Sequence, residues 1–119
     1  MRTNYWIVDK DVDKLESFSQ LQEAANFLRK DEVIAFPTET VYGLGGNAQS
    51  DEAVEKIFLA KGRPSDNPLI VHIAKKEQLY YFVEKLPQKA EILIDHFWPG
   101  PLTIILSYKE GALSQKTTA

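Results

Sequence analysis

One stretch decides the fold of this chain: Val33–Asn47, which reads VIAFPTETVYGLGGN. It begins as a β-branched and aromatic run, Val33–Phe36, and Pro37 ends that run because proline has no N–H to donate to a neighbouring strand. Polar side chains follow, and then three glycines within four positions. Such a loop packs poorly but offers hydroxyls and close backbone approach to a small polar ligand. We therefore predict a strand that leads into a ligand-binding loop at the end of a sheet.

Helical patterns flank this stretch on both sides. A first helix is predicted over Ser19–Lys30, where Ser19 and Gln22 form a capping-box pattern. Its apolar residues recur at helical spacing: Leu21, Ala24, Ala25 and Leu28. A second helix is predicted to begin at Ser50 or Asp51 and to end at Gly62.

Further strands and helices are predicted outside this region. Three runs are typical of strands: Asn4–Asp9, Leu69–Ile73 and Leu102–Leu106. The second is apolar on both faces apart from its histidine, as in a strand covered by helices on each side. Two shorter helices are predicted over 76–84 and 87–97, and a polar tail over 107–119. Strands that alternate with helices predict an α/β fold in a single domain, residues 1–119.

Composition limits the possible functions. The chain has 119 residues, 44% hydrophobic and 26% charged, which is typical of one globular domain. It has no cysteine, so disulfides, thiolate catalysis and cysteine-based zinc sites are excluded within it. A net charge of −3 argues against a whole-surface electrostatic grip on nucleic acid. No apolar run is long enough to span a bilayer, and we expect a cytoplasmic protein.

Three separated motifs carry a resemblance to a known family. They lie at Pro37–Gly45, at Lys61–Pro64 with Asn67–His72, and at Trp98–Thr103. In order and spacing they resemble the YrdC-like threonylcarbamoyl-AMP synthases. The resemblance implies a twisted, mostly open α/β sheet with helices packed on it, around a concave and locally basic cavity. It implies a reaction that joins L-threonine, bicarbonate or CO₂ and ATP into threonylcarbamoyl-AMP and pyrophosphate, a precursor for tRNA modification.

The resemblance assigns Lys61, Arg63 and Asn67 to ATP. Guanidinium and ammonium groups suit phosphate oxygens, because arginine donates as a fork and lysine acts as a point charge. Structural roles remain open for all three. Cations at a helix C-terminus interact favourably with the helix dipole, and an asparagine before a proline often caps a turn.

The same resemblance assigns Thr40 and His72 to L-threonine, with Thr38 and Tyr42 as companions. A lone histidine among apolar neighbours is more often a hydrogen-bonded core residue, and loop hydroxyls commonly satisfy backbone groups. Glu39 could pair with a cation or help to hold Mg²⁺, which we expect to accompany ATP. No protein nucleophile is evident, and none is required, because the carbamate of threonine can itself attack the α-phosphate.

The glycines alone fit neither a dinucleotide fingerprint nor a P-loop. Family members continue further, with a Ser-x-Asn segment that completes the nucleotide site, so we expect this chain to be the N-terminal part of the domain, incomplete at its C-terminus. A second hypothesis is an RNA-binding or regulatory module without synthase activity, because family members are also associated with double-stranded RNA. The expected partners are ATP, L-threonine, bicarbonate and downstream tRNA-modification proteins.

Overall fold

The structure is a computed structural model that describes residues 2–8, 15–62 and 68–117, without the side chains of residues 15 and 16. Helices lie before and after a small two-stranded sheet, which confirms the α/β class. The elements in chain order are α1 (Leu15–Arg29), β1 (Ile34–Phe36), β2 (Gly43–Gly45), α2 (Asp51–Lys61), a 3₁₀ helix (Lys76–Tyr81), α3 (Gln88–Phe97) and a second 3₁₀ helix (Gln115–Thr117).

The stretch Val33–Asn47 folds into an antiparallel hairpin. Ile34 pairs with Gly45 and Phe36 pairs with Gly43, so β1 ends immediately before Pro37, as predicted. The prediction that the glycines belong to a loop is wrong for Gly43–Gly45, because they form β2. A Cβ atom on Gly45 would lie 2.7 Å from Cε1 of Phe36. Glycine is therefore required here by the aromatic ring that lies on the strand.

Helix α2 confirms the predicted helix in detail. Ser50 is the N-cap, and its Oγ accepts a hydrogen bond from the N–H of Ala53 at 3.2 Å. Gly62 ends the helix in the left-handed conformation, with φ of 61°. The helix contributes much of the described core, through Ala53, Val54, Ile57 and Phe58. Its rigid packing fixes the position of its last residue, Lys61.

Helix α1 begins earlier than the predicted Ser19, at Leu15, and ends at Arg29. The strand predicted over Asn4–Asp9 is wrong for residues 4–8, and Asp9 lies outside the described residues. Trp6 instead packs edge-on against Phe27, with ring centroids 5.4 Å apart. Its Nε1 donates to Glu23 Oε2 at 3.1 Å. The N-terminal segment is thus held to α1 by the side chain of Trp6 and not by strand pairing.

The runs Leu69–Ile73 and Leu102–Leu106 are not in strands, so the two predictions are wrong. Both keep a strand-like alternation, in which every second residue is exposed. A strand also needs a ladder partner, and among the described residues neither run has one. One backbone hydrogen bond holds the first run, from the N–H of Leu69 to the carbonyl of Thr117 at 2.9 Å.

The C-terminal region is more ordered than the predicted polar tail. Tyr108 forms an isolated antiparallel bridge with Val83. The helix predicted over 76–84 is therefore shorter than expected: it is a 3₁₀ helix that ends at Tyr81, before the bridge. Ser114 and Thr117 are buried against α2. Ser114 Oγ donates to Asp51 Oδ1, which ties this region to the first turn of α2. Helix α3 confirms the helix predicted over 87–97.

Candidate functional site

A cavity of about 510 Å³ opens between the hairpin, the end of α2 and the segment 68–72. Its lining is mostly apolar, and two sequence-predicted site residues belong to it, Lys61 and His72. The other lining residues are Leu28, Ile34, Phe36, Leu44, Gly45, Gly46, Ala48, Val54, Ile57, Pro68, Leu69, Ile70, Val71 and Thr117. An apolar cavity with a few polar groups at its wall is the usual form of a small-molecule site.

Lys61 is placed at this cavity by local chain geometry. It is the last residue of α2, and the left-handed Gly62 turns the backbone away immediately after it. The lysine is exposed, so its ammonium group is accessible to an anion. The helix C-terminus stabilises the same charge, so the structural role and the ligand role are compatible. Arg63 and Asn67, its predicted companions, lie outside the described residues.

His72 also lines the cavity. Its imidazole packs against the ring of Phe36 in a T-shaped contact, with ring centroids 5.6 Å apart and an interplanar angle of 80°. The side chain is exposed, which argues against the alternative of a buried core histidine. An exposed imidazole at a cavity wall can donate hydrogen bonds to a bound ligand and accept them from it.

The hydroxyls of the turn between β1 and β2 are arranged differently. Thr38 Oγ1 donates to the carbonyl of Val41 and accepts from the N–H of Thr40 at 3.2 Å. Thr38 therefore satisfies the backbone of its own turn, as the structural alternative proposed. The side chains of Thr40 and Tyr42 are exposed. Within the part of the chain that the structure describes, none of these three lines the cavity, so their contact with L-threonine stays a prediction.

Phe36 is a cavity residue that sequence reasoning assigned only to a strand. Its ring lies over Gly43 and Gly45 and reaches His72. The signal in the sequence is indirect: an aromatic residue ends one strand, and a Gly-x-Gly pair follows at hairpin distance. Glycines that face an aromatic ring across a hairpin indicate where that ring lies.

A second group of charged residues lies away from this cavity. Lys76 donates from Nζ to Asp95 Oδ1 at 2.7 Å, and this hydrogen bond raises the pKa of the lysine. Tyr80 donates to Glu91 Oε1 at 3.1 Å, which raises the pKa of the phenol. These bonds join the first 3₁₀ helix to α3, and they act in folding rather than at the cavity.

Two kinds of feature are absent from the described residues. In residues 2–8, 15–62 and 68–117, no group of three or more His, Cys, Asp or Glu side chains could hold a metal ion. Over the same ranges, no helix has the length and apolar character needed to cross a membrane.

The chain is similar to proteins named threonylcarbamoyl-AMP synthase. A Sua5, YciO and YrdC family model, described as telomere recombination, matches residues 26–119. The threonylcarbamoyl-AMP synthase of Bacillus subtilis (strain 168) is 54% identical over 119 residues, which is 100% of this chain and 34% of that protein. The synthase of Pyrococcus abyssi (strain GE5 / Orsay) is 55% identical over 91 residues, 76% of this chain and 27% of that protein. The chain thus spans about a third of the length of these relatives.

Solved structures agree with the sequence matches. P. abyssi Sua5 complexed with L-threonine superposes with a TM-score of 0.74 and 50% identity, over 83% of this chain and 29% of that one. A P. abyssi Sua5 with two substitutions superposes with a TM-score of 0.75 and 51% identity, over 84% of this chain and 30% of that one. The names of these relatives refer to threonylcarbamoyl-AMP synthesis and L-threonine, and none refers to RNA. The comparisons therefore favour a synthase over an RNA-binding module.

Proposed function

Because the chain belongs to the Sua5, YciO and YrdC family, we propose that it forms the part of a threonylcarbamoyl-AMP synthase that carries the cavity for ATP and L-threonine. The observation that carries this proposal is the 54% identity to the B. subtilis synthase over all 119 residues. The cavity supports it, because Lys61 at the end of α2 and His72 in the segment 68–72 both line it. The L-threonine complex of P. abyssi Sua5 supports the choice of amino acid.

The proposed reaction needs positioning more than it needs protein nucleophiles. The amine of L-threonine attacks CO₂ and loses a proton, which gives a carbamate. A carbamate oxygen then attacks the α-phosphorus of ATP, and the bond to the β-phosphate breaks to release pyrophosphate. Negative charge builds on the phosphate oxygens in this step, so Lys61 and Arg63 would stabilise the transition state. His72 would hold the amino acid near the α-phosphate.

Magnesium fits this proposal as a companion of ATP. Mg²⁺ keeps several waters and commonly binds through one or two carboxylates together with substrate phosphates. The described residues hold no ready-made metal cluster, so the phosphates would supply most of the ligands. Glu39, in the turn between β1 and β2, is the carboxylate that we propose as a protein ligand. When bound, the ion would neutralise charge on the leaving pyrophosphate.

The product implies the partners. Threonylcarbamoyl-AMP is a mixed anhydride that hydrolyses readily, so a tRNA-modifying enzyme that accepts the threonylcarbamoyl group must act soon afterwards. We propose that the synthase works in the cytoplasm, where ATP and tRNA are both present. Bicarbonate is the proposed source of CO₂.

The test uses the isolated chain and a hybrid in which it replaces the matched third of the B. subtilis synthase. Calorimetry with L-threonine and with Mg-ATP should detect binding of both by the hybrid, and weaker binding by the isolated chain. A short RNA duplex is the competing ligand. Binding of the duplex by the hybrid, without binding of either small molecule, would contradict the proposed function.

A further inference from the structure

The strongest unassigned feature is the packing of one aromatic ring between β2 and the cavity wall. We propose that Phe36 is a positioning residue that sets the orientation of the His72 imidazole, and that the bare surface of β2 provides the space for its ring. Resting on the proposed function, this assigns Phe36 an indirect role in L-threonine binding. The phenyl ring orients the imidazole, and the two glycines beneath the ring, Gly43 and Gly45, leave the space that it occupies.

The glycines fix the location of the ring. A Cβ atom on Gly45 would lie 2.7 Å from Cε1 of Phe36, closer than carbon atoms pack, and one on Gly43 would lie 3.1 Å from Cζ. Neither glycine is among those with positive φ, so the backbone alone does not demand glycine at either position. The space that a side chain would occupy is filled by the phenyl ring. The two glycines therefore serve the packing of Phe36.

Few other interactions within the described chain fix the position of the His72 side chain. Among the described residues, the segment around it belongs to no ladder, and backbone N–H groups hold it at its two ends, from Leu69 to the carbonyl of Thr117 and from Ala74 to Oε1 of Gln78. Its imidazole is exposed, so surrounding packing restricts its rotation little. The T-shaped contact with Phe36 is the one ring contact recorded for His72 in the described chain. Such aromatic pairs have a defined geometry, so the ring can set the rotamer of the imidazole.

Two substitutions change this contact in different ways. Phe36→Leu removes the ring while it keeps an apolar side chain on β1. Gly45→Ala keeps the ring but occupies the space beneath it, so the ring must move. The matched control is Ala35→Val, because Ala35 lies on the opposite, exposed face of the same strand.

The first measurement is nuclear magnetic resonance of the ligand-free 119-residue chain. His96 is an internal control, because the chain has two histidines and the ring of His96 packs near Phe97 on α3. We expect cross-peaks between the rings of Phe36 and His72 in the parent chain. Phe36→Leu and Gly45→Ala should each shift the ring resonances of His72 and leave those of His96 unchanged. Ala35→Val should leave the ring resonances of both histidines unchanged. Unaltered His72 resonances in a folded Phe36→Leu chain would overturn the proposal.

The double variant separates positioning from general damage to the hairpin. If Gly45→Ala acts through the ring, it should shift His72 no further once Phe36 is leucine. Additive shifts in the double variant would mean that the glycine acts on His72 by another route and would overturn the assigned role of β2. A circular dichroism melt of each variant checks that the chain is folded.

The second measurement concerns the ligand. Phe36→Leu in the hybrid should raise the Kd for L-threonine roughly 2- to 10-fold, the effect of losing an aromatic pair, and leave the Kd for Mg-ATP within about 2-fold. Equal weakening of both ligands would overturn the positioning role. If the parent hybrid binds no L-threonine, the proposed function fails, while the ligand-free spectra still decide whether Phe36 orients His72.

Discussion

Lys76 Nζ lies 2.7 Å from Asp95 Oδ1, and this bond joins the first 3₁₀ helix to α3. Glu91 Oε1 lies 3.5 Å from the same ammonium group, so two carboxylates one helical turn apart hold one lysine. Short helices are marginal on their own, and tertiary contacts usually determine whether they persist. The bond to α3 therefore explains how a segment of six residues holds a 3₁₀ helix.

The same bond predicts how stability depends on pH. The hydrogen bond to Asp95 raises the pKa of Lys76 above its ordinary 10.5. A group whose pKa is higher in the folded state binds its proton more tightly there, so its contribution is complete below pH 10.5 and is lost as the pH rises through the folded-state pKa. We expect the free energy of unfolding to fall above that pH. Urea titrations from pH 8 to 11 should show a smaller fall in Asp95→Asn, and an unchanged pH profile in that variant would contradict the assignment.

The N-cap of α2 predicts a stability change close to the site. Ser50→Ala removes the bond from Oγ to the N–H of Ala53, which should lower the free energy of unfolding by about 1 kcal/mol. Ser50→Asp is the matched control, because an aspartate also caps and should retain most of the stability. Urea unfolding at pH 7 measures all three proteins. Equal stability of the alanine and parent chains would show that the cap is not needed.

Core packing on α3 predicts a contrast between neighbouring isoleucines. Ile94 is 2% exposed and Ile92 is 50% exposed. Ile94→Val should lower the free energy of unfolding by about 1 kcal/mol, because a buried methylene leaves a cavity. Ile92→Val removes the same group from the surface and should change the free energy of unfolding much less. Similar losses in the two variants, measured by urea unfolding, would place the core of α3 elsewhere.

These elements show how much of the fold is predictable from the sequence. Helix α2 was predicted closely because its signals, Ser50 and Gly62, are local. β2 was missed because glycines carry no strand pattern, and their place in a strand depends on a ring seven and nine positions earlier. The runs Leu69–Ile73 and Leu102–Leu106 have the periodicity of strands, but a ladder depends on partners that periodicity does not specify.

The site was predictable to a similar degree. Lys61 reaches the cavity because it ends a helix, and the end of that helix could be read from Gly62. His72 could be assigned only by resemblance, since its alternating pattern also fits a core residue. The role of Phe36 depends on a three-dimensional contact with two glycines and was not visible as a motif.

Arg63, which follows α2 in the sequence, carries a prediction about ATP binding. Arg63→Ala in the hybrid should weaken Mg-ATP binding by about 1.5–3 kcal/mol, the effect of losing a charge-assisted hydrogen bond. Lys89→Ala is the control, because Lys89 is exposed on α3 and does not line the cavity. Calorimetry measures both. Unchanged ATP affinity in a folded Arg63→Ala hybrid would remove Arg63 from the phosphate site.

The proposed amino-acid site predicts a selectivity that depends on the hydroxyl group. Polar groups placed for a substrate hydroxyl lose their partner when an analogue lacks it, at a cost of about 1–3 kcal/mol in a buried site. The hybrid should therefore accept L-serine better than L-valine, although valine has nearly the shape of threonine. Pyrophosphate release with each amino acid provides the comparison. Equal turnover of threonine and valine would mean that Thr40 and His72 do not recognise the hydroxyl.

We propose that this chain carries the ATP and L-threonine cavity of a threonylcarbamoyl-AMP synthase. The most direct measurement is pyrophosphate release by the hybrid with ATP, bicarbonate and Mg²⁺, with and without L-threonine, beside the intact B. subtilis synthase. We expect threonine-dependent release that His72→Ala and Lys61→Ala both reduce strongly, while Lys89→Ala does not. A folded hybrid that releases pyrophosphate at the same rate without L-threonine, or whose release is indifferent to both cavity substitutions, would contradict the proposal.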